Sequence, residues 1–268
     1  MNNHAARPSE PAIIAADFQA FNSHLLEYYD ELFPLDENAI SFFSDLREEY
    51  LATSPRRPVP LCRFLGVSCG TGNLENKLAL DPFDVTGIDR SPDFIGAARR
   101  RIKRNGSTVR FFEMATIDMG RFLKAGSFNV VAALGNAIPL LGDEILVRKA
   151  LHDARRLLAP VGVLVVETEN YDRLLSSREP ELPELSSMRV RLRRRYEYKN
   201  ENRIELETTL ETGNGRRIVL PCAAVYPMST ARLETLAREA GFAAVSLYGD
   251  FARGAWEADG PTTVAELR

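Results

Sequence analysis

The segment from Leu61 to Asp89 constrains the fold of this chain more than any other part of it. It reads LCRFLGVSCGTGNLENKLALDPFDVTGID. A short apolar run ends in a pair of glycines, a helical stretch follows, and a second apolar run ends on an acidic residue. Glycines let the backbone approach a ligand closely, and free N–H groups at a helix start favour polar or anionic ligand groups. The order predicts strand, glycine loop, helix and strand around a bound ligand.

Asp89 ends the second predicted strand, where a carboxylate can accept hydrogen bonds from both hydroxyls of a ribose. The dinucleotide fingerprint G-x-G-x-x-G requires a third glycine, but Glu75 stands at that position after Gly70 and Gly72. A glycine pair alone is typical of an ordinary turn. Together with an acidic strand end at this distance, the pair predicts a site for a nucleoside-containing cofactor.

Strand-like and helical segments alternate along the middle of the chain. Strands are predicted near 61–67, 83–88, 108–113, 128–134 and 161–167, and helices near 73–80, 92–104, 116–124 and 143–158. Such alternation predicts a parallel sheet with helices on both faces. Ligands bind such sheets at the carboxyl ends of the strands.

The flanking segments predict two additions to this α/β core. Apolar spacing from Glu10 to Tyr50 predicts two helices interrupted at Pro34, followed by a proline-rich connector over 54–60. Strand-like segments at 188–199, 203–212 and 216–226 predict a small antiparallel sheet inserted between the fifth and sixth strands. A helix at 229–240 and strands at 243–248 and 262–267 complete the core.

These boundaries predict three parts. They are an N-terminal helical cap (1–57), a core (58–175 and 228–268) and an antiparallel insertion (176–227).

Composition fits one enzyme domain with such an elaboration. The 268 residues carry a formal net charge of -3, which gives no broad attraction to nucleic acid or anionic membranes. No apolar run approaches the roughly 20 residues that span a bilayer, and the first residues, MNNHAARPSEP, read as a frayed tail. The cysteines Cys62, Cys69 and Cys222 lack metal-ligand spacing. We therefore expect a cytoplasmic protein without a metal.

Three groups of motifs resemble one enzyme family. The loop Cys69-Gly70-Thr71-Gly72 and the strand ending TGIDRSP resemble motif I of the class I methyltransferases that depend on S-adenosylmethionine (SAM). The segments FNVVAALGNAIPLL and VLVVETENYDRLL resemble its glycine N-methyltransferase-like branch, and YPMSTARLETLAREAGF with LYGDF is similar to bacterial members. The matching pieces span most of the chain from about Tyr28 onward. The resemblance implies a Rossmann-like sheet, SAM as cofactor and S-adenosylhomocysteine (SAH) as product.

The resemblance also implies a set of site residues. Cofactor-binding positions are Gly66, Ser68, Cys69, Gly70, Gly72, Asp89, Arg90, Ala115, Thr116, Leu134 and Gly135. Acceptor-positioning, catalytic residues are Asn136, Tyr171 and Asn170. Tyr28 or Tyr29 is a candidate lid over the pocket, although both could equally be core aromatics. Asn136 and the segment from Asn170 to Asp172 could also be ordinary turn and helix-capping residues.

The chain departs from the family pattern at five positions. Gly66 stands where an acidic residue is expected, and Ser68 replaces the first glycine of motif I. Ala115 takes the place of an aspartate that accepts from the adenine amino group. Leu140 stands where histidine is frequent, and Asn129 replaces an aspartate. The departure at Gly66 bears on how the amino group of the cofactor is held, and that at Ala115 shifts adenine binding towards packing.

The arginine-rich run from Arg189 to Tyr196 allows two interpretations. In a strand its side chains alternate between faces, so the arginines of one face can pair with glutamates of the next strand in a solvated charge ladder. Alternatively, one arginine such as Arg195 faces the pocket and pairs with a substrate carboxylate.

The favoured function is methyl transfer from SAM to a small molecule, with nitrogen favoured over oxygen or carbon. None of the three histidines, His4, His24 and His152, lies at a strand end, which weakens a histidine-base mechanism. One alternative is a SAM-binding protein of altered, non-methylating activity, such as cyclisation. The other is a nucleic-acid methyltransferase, which the negative net charge of the chain disfavours. A homo-oligomer is left open.

Overall fold

A computed structural model describes residues 13–15, 17–53, 61–102 and 108–268. The predicted N-terminal tail, which contains His4, and the predicted connector over 54–60 lie outside the described residues.

The elements are numbered in chain order. The first half contains β1 (Ile13–Ala15), α1 (Phe18–Leu26), α2 (Tyr29–Leu32), α3 (Glu37–Thr53), β2 (Cys62–Val67), α4 (Asn73–Leu78), β3 (Phe83–Asp89), α5 (Pro92–Arg100), β4 (Val109–Glu113), α6 (Met119–Phe122) and β5 (Phe128–Ala133). The second half contains α7 (Glu144–Leu157), β6 (Leu158–Glu169), α8 (Tyr171–Ser177), β7 (Leu185–Ser186), β8 (Val190–Asn200), β9 (Arg203–Thr212), β10 (Arg217–Val225), α9 (Thr230–Glu239), β11 (Val245–Tyr248) and β12 (Thr262–Leu267). Short 3₁₀ turns precede α6 and α7.

The central sheet has seven strands in the order β11-β12-β6-β5-β2-β3-β4. Strands β4, β3, β2, β5 and β6 run parallel, whereas β12 is antiparallel to β6 and β11 is antiparallel to β12. The strand order reverses between β2 and β5, which places the β2 loop at the switch point where such sheets bind ligands. The predicted α/β fold is confirmed.

The second sheet has the order β1-β10-β9-β8-β7, and its strands β7 to β10 lie between α8 and α9. The predicted antiparallel insertion between the fifth and sixth strands of the core is therefore present. Its long strands β8 and β9 pair from Val190↔Thr212 to Asn200↔Arg203. One face of this sheet packs on the core, as alternating burial along β8 shows.

The N-terminal region differs from the prediction in two ways. Ile13 and Ile14, predicted to be helical, lie in β1, which pairs in parallel with β10. Isoleucine is β-branched and favours strands, and the free edge of β10 supplies the hydrogen-bonding partner that the sequence pattern does not reveal. The remainder forms three helices instead of two, because the chain breaks near Tyr28 as well as at Pro34. The proposed division into three parts remains a prediction.

The core consists of three clusters of buried apolar side chains. Two lie on opposite faces of the central sheet, and the third joins α1 and α2 to the inserted sheet through Phe21, Leu25, Leu192 and Leu210. This third cluster fixes the N-terminal helices beside the carboxyl ends of the central strands. Among the described residues, no helix is both long and apolar enough to cross a membrane.

Candidate active site

The loop after β2 has an unusual backbone. Ser68, Gly70 and Gly72 have φ values of 55°, 54° and 65°, in the left-handed region that side chains rarely adopt. A Cβ on Gly72 would lie 2.6 Å from the Phe111 ring and 2.8 Å from Cβ of Ala98. Glycine is therefore required at position 72 for space as well as for conformation. The loop turns sharply into α4, whose first turn follows Gly72 directly.

Asp89 at the end of β3 is tied to this loop. Its Oδ2 accepts from the backbone N–H of Gly70 at 2.9 Å, and its Oδ1 accepts from that of Ser91 at 2.8 Å. Only 8% of the residue is exposed, and burial raises the pKa of the carboxyl group while the backbone donors act in the opposite direction. Each carboxylate oxygen still has a lone pair for a further donor. Arg90 is exposed and stacks on the Phe18 ring, 3.5 Å from its centroid.

The N-terminal helices cover the glycine loop. A Cβ on Gly70 would lie 2.7 Å from the hydroxyl oxygen of Tyr29. Asp30 accepts from Thr71 Oγ1 at 2.8 Å and forms an ion pair with Arg101. Burial, followed by the nearby Asp89 carboxylate, raises the pKa of Tyr29. The start of α2 therefore lies directly on the loop.

The end of β4 forms the other wall beside the loop. Met114 N–H donates to the Asp89 carbonyl at 2.9 Å, and the Thr116 and Ser68 hydroxyls lie 3.2 Å apart. Thr116 is buried, whereas Met114 and Ala115 are half-buried. This wall therefore presents the apolar side chains of Met114 and Ala115 beside two hydroxyl groups.

Glu75, in the first turn of α4, lies beneath the glycine loop. Only 4% of it is exposed, and burial raises the pKa of its carboxyl group to about 8. A Cβ on Gly66 would lie 1.9 Å from Glu75 Oε1. The side chain of Glu75 therefore fills the space that any larger residue at position 66 would need.

The turn after β5 lies next to the loop in the sheet order. Gly135 and Asn136 have φ values of 61° and 64°, and a Cβ on Gly135 would meet no atom within 4 Å. Gly135 N–H donates to Glu167 Oε2 at 2.8 Å. Burial raises the pKa of Glu167. Leu134 is half-buried beside this open edge.

The amide side chain of Asn136 joins this turn to the end of β6. Its Oδ1 accepts from Glu169 N–H at 2.9 Å and from the Tyr171 hydroxyl at 3.4 Å. Tyr171 is 1% exposed, and burial raises its pKa well above the ordinary value. The structure therefore brings together two of the three predicted acceptor-positioning residues.

The side chain of the third, Asn170, takes no part in this hydrogen bond. It is fully buried, and its Oδ1 accepts from the backbone N–H groups of Asp172 and Arg173, which caps α8. Its Nδ2 donates to the carbonyls of Glu257 and Ala258. All of these bonds are structural, so we assign Asn170 to helix capping and attachment of the C-terminal segment.

The inserted sheet contributes residues to the acceptor side. Arg194 pairs with Glu169 at 2.9 Å, and the Tyr196 hydroxyl donates to the same carboxylate. Arg195 points to the opposite, exposed face of β8 and lies across from Glu207 in the register. Tyr28 is half-buried and faces the inserted sheet. The guanidinium of Arg189 lies over its ring, with Cζ 4.9 Å from the ring centroid.

Sequence reasoning missed five residues of this region, Glu75, Glu167, Glu169, Arg194 and Tyr196. The signal for Glu75 was available, because an acidic residue replaced the third glycine of the loop. The position of Arg194 follows from strand parity once its buried neighbours Leu192 and Tyr196 are known.

Comparison with known proteins supports this description. A family described as "Methyltransferase domain" matches residues 64–162. The chain is 33% identical over 111 residues to a glycine/sarcosine N-methyltransferase of Parasynechococcus marenigrum (strain WH8102), which covers 41% of this chain and 39% of that protein. It is 26% identical over 195 residues to the glycine/sarcosine N-methyltransferase of Aphanothece halophytica, covering 70% of this chain and 69% of that protein. The chain spans about two-fifths of the length of the curated relatives to which it is at least 30% identical.

A solved structure shows the same fold over nearly the whole chain. The SAM-dependent methyltransferase from Clostridium acetobutylicum ATCC 824 superposes with a TM-score of 0.73 at 13% identity, covering 92% of this chain and 98% of that one. The chain therefore has the fold of a SAM-dependent methyltransferase, contains a segment that matches the methyltransferase domain family, and is similar in sequence to glycine/sarcosine N-methyltransferases.

Proposed function

We propose that this protein transfers a methyl group from SAM to a nitrogen atom of a small-molecule acceptor. The observation that carries the proposal is the hydrogen bond between Gly70 N–H and Asp89 Oδ2. It holds a positive-φ glycine loop and a strand-end carboxylate together at the switch point of the sheet. That combination suits the amino acid and the ribose of one adenosyl ligand.

The residues present fit SAM. Asp89 has lone pairs left for a ribose diol, and the half-buried Met114 and Ala115 suit the adenine ring. Acidic groups dominate the surroundings, with Glu75 beneath the loop and Glu167 at the next strand end. The ammonium and sulfonium of SAM are both cationic, and a cation next to these carboxyl groups favours their ionised form.

Bound SAM would supply an electrophilic methyl group. The contribution of the chain is to hold the acceptor in line and close, which is the main requirement of such a displacement. Asn136 and Tyr171 lie at the carboxyl ends of β5 and β6 and are joined by a hydrogen bond. We assign them the positioning of the acceptor, while Tyr29 and Asp30 close the loop side against water.

The polar groups at the carboxyl ends of β5 and β6 favour nitrogen as the acceptor atom. The carboxyl groups of Glu167 and Glu169 and the hydroxyl oxygen of Tyr171 have lone pairs that can receive the N–H groups of an amine, whereas the Asn136 amide oxygen already accepts two hydrogen bonds. The relatives of similar sequence named above are glycine/sarcosine N-methyltransferases. A small amine or amino acid, rather than a macromolecule, is therefore the proposed substrate class.

The arginine-rich strand gives the nucleic-acid alternative little support. Arg189 pairs with Glu27 and Glu31, and Arg193 pairs with Glu184. Such exposed pairs neutralise the charge that phosphate binding needs. We also propose a cytoplasmic location, because the free cysteines Cys62, Cys69 and Cys222 suit a reducing compartment.

Calorimetry and a methylation assay test the proposal. We expect SAH to bind the purified protein and radiolabelled SAM to label small amines and amino acids, but not matched alcohols or RNA. Failure to bind SAH would refute the cofactor assignment. Binding of SAH without labelling of any amine in a broad panel would refute N-methylation and favour the non-methylating alternative.

A further inference from the structure

The carboxyl group of Glu75 occupies the space in front of Gly66. A Cβ built on Gly66 would lie 1.9 Å from Glu75 Oε1, 2.9 Å from its Cδ and 3.2 Å from its Cγ. Gly66 is the fifth residue of β2 and lies two residues before the glycine loop. The carboxylate therefore stands where a side chain from the end of β2 would project, although it comes from α4.

Local structure explains how Glu75 reaches this position. The left-handed Gly72 begins α4, and its first turn buries Leu74 and Glu75 beneath the loop. An acidic residue in a first helical turn commonly has only a dipole-complementing role on the surface. Glu75 is 4% exposed, so this simpler explanation does not account for its burial.

Within the part of the chain that the structure describes, Glu75 has no cationic partner. Among residues 17–53, 61–102 and 108–268, no Lys, Arg or His forms an ion pair with it, and no other residue donates a hydrogen bond to its carboxyl group. The titratable groups that face it are Asp89 of β3, Cys69 of the loop and Tyr29 of α2. None of these is cationic, and a buried carboxylate whose one donor among the described residues is its own backbone N–H is costly.

We propose that Glu75 binds the ammonium group of the amino-acid part of the adenosyl cofactor, an inference that rests on the proposed function. The carboxylate is supplied by the helix after the loop instead of by the strand before it. Gly66 is then glycine because Glu75 needs the space. The residues at 66 and 75 form one functional unit, in which only one of them can carry the acidic side chain.

Two ligands separate this contact from the rest of the site. SAH contains the ammonium group, whereas 5′-methylthioadenosine keeps the adenosine and the sulfur but has no amino acid. We expect Glu75→Gln to weaken SAH binding by about 10- to 100-fold, the range for loss of one charged hydrogen bond. Binding of 5′-methylthioadenosine should not change. Calorimetry measures both dissociation constants without turnover.

Glu266→Gln is the matched control. Glu266 is a second buried glutamate, but it lies on β12 beside Arg268, towards the opposite edge of the sheet. Its substitution should leave both ligands unaffected. Circular dichroism would show whether Glu75→Gln is folded. If it is not, a comparison of two double variants tests the inference instead.

The double variant Gly66→Asp/Glu75→Gly moves the carboxylate back to the strand, into the space that Glu75 vacates. We expect it to bind SAH more tightly than Gly66→Asn/Glu75→Gly, which has the same shape without the charge. Wild-type affinity for SAH in Glu75→Gln, equal weakening of both ligands, or equal SAH affinity in the two double variants would overturn the inference. Wild-type protein that binds neither ligand would refute the proposed function itself.

Discussion

The backbone N–H of Gly70 donates to Oδ2 of Asp89 over 2.9 Å, which joins the loop after β2 to the end of β3. This bond couples the two features that define the site. The second carboxylate oxygen accepts from Ser91, so the orientation of Asp89 is fixed before any ligand arrives. Preorganisation of this kind lowers the entropic cost of binding.

Asp89→Asn should weaken SAH binding by about 10- to 100-fold, because one charged acceptor and the tie to the loop are lost together. Calorimetric titration with SAH measures the effect. Asp84→Asn is the control on the same strand, where the carboxylate forms a surface ion pair with Arg110. Equal affinity of Asp89→Asn and wild type would remove the ribose assignment.

Gly72→Ala should destabilise the protein more than Gly126→Ala. Both glycines have left-handed backbones, with φ of 65° and 66°, so both alanines carry a strain of about 1–2 kcal/mol. A Cβ at 72 also meets Phe111 and Ala98, whereas one at 126 meets no atom within 4 Å. Overpacking adds about 1–3 kcal/mol at position 72. Urea unfolding gives both free energies, and equal losses would show that the loop has room to relax.

Glu75 gives the unliganded protein a defined pH dependence. Its pKa of about 8 in the folded state lies above the ordinary 4.5, so its contribution to stability is fully present below pH 4.5 and is lost as the pH rises through 8. Glu75→Gln cannot ionise. The free energy of unfolding of the variant should therefore rise relative to wild type between pH 5 and pH 9, by up to a few kcal/mol.

Denaturant titrations of both proteins at several pH values measure this difference. The facing groups Asp89, Cys69 and Tyr29 are common to both proteins, so they cancel to first order. A difference that stays constant with pH would show that the Glu75 carboxyl group ionises as it does in water. The same variant is expected to bind SAH less tightly, so its stability and its affinity change in opposite directions.

Asn136→Gly should reduce kcat/KM for the amine acceptor by about 10- to 100-fold, the scale of a mispositioned reactant. Glycine keeps the positive φ of 64° while it removes the amide, so the backbone turn is preserved. Binding of SAH should not change. Asn136→Ala, which adds left-handed strain, should be equally inactive but less stable. Full activity in Asn136→Gly would exclude the amide from acceptor positioning.

Tyr171→Phe tests the other member of the pair. The hydroxyl group of Tyr171 donates to Asn136 Oδ1 at 3.4 Å, and its ring is buried in the core. Phenylalanine preserves the packing, so we expect a smaller loss of kcat/KM than in Asn136→Gly and little change in melting temperature. Losses that do not add in the double variant would show that the two residues act together.

Most of the fold could be predicted because local patterns and tertiary packing agree. Apolar runs and helical spacing gave strands such as β3 and helices such as α7 to within a few residues. The parallel sheet followed from their alternation. β1 was missed because three residues are too few to define a period, and the strand with which it pairs, β10, lies some 200 residues away in the chain.

The candidate site likewise contains some residues that the sequence predicts and others that it does not. Gly70, Gly72 and Asp89 could be identified from one continuous segment, since their roles depend on backbone conformation and strand ends that spacing encodes. Two contacts could not be derived in this way: that of the Glu75 carboxyl group with the space in front of Gly66, and the ion pair of Arg194 with Glu169. The chain order by itself determined the strands, the glycine loop and the strand-end carboxylate. Only the tertiary structure decided which buried charges meet, because side-chain direction and burial depend on packing between elements distant in sequence.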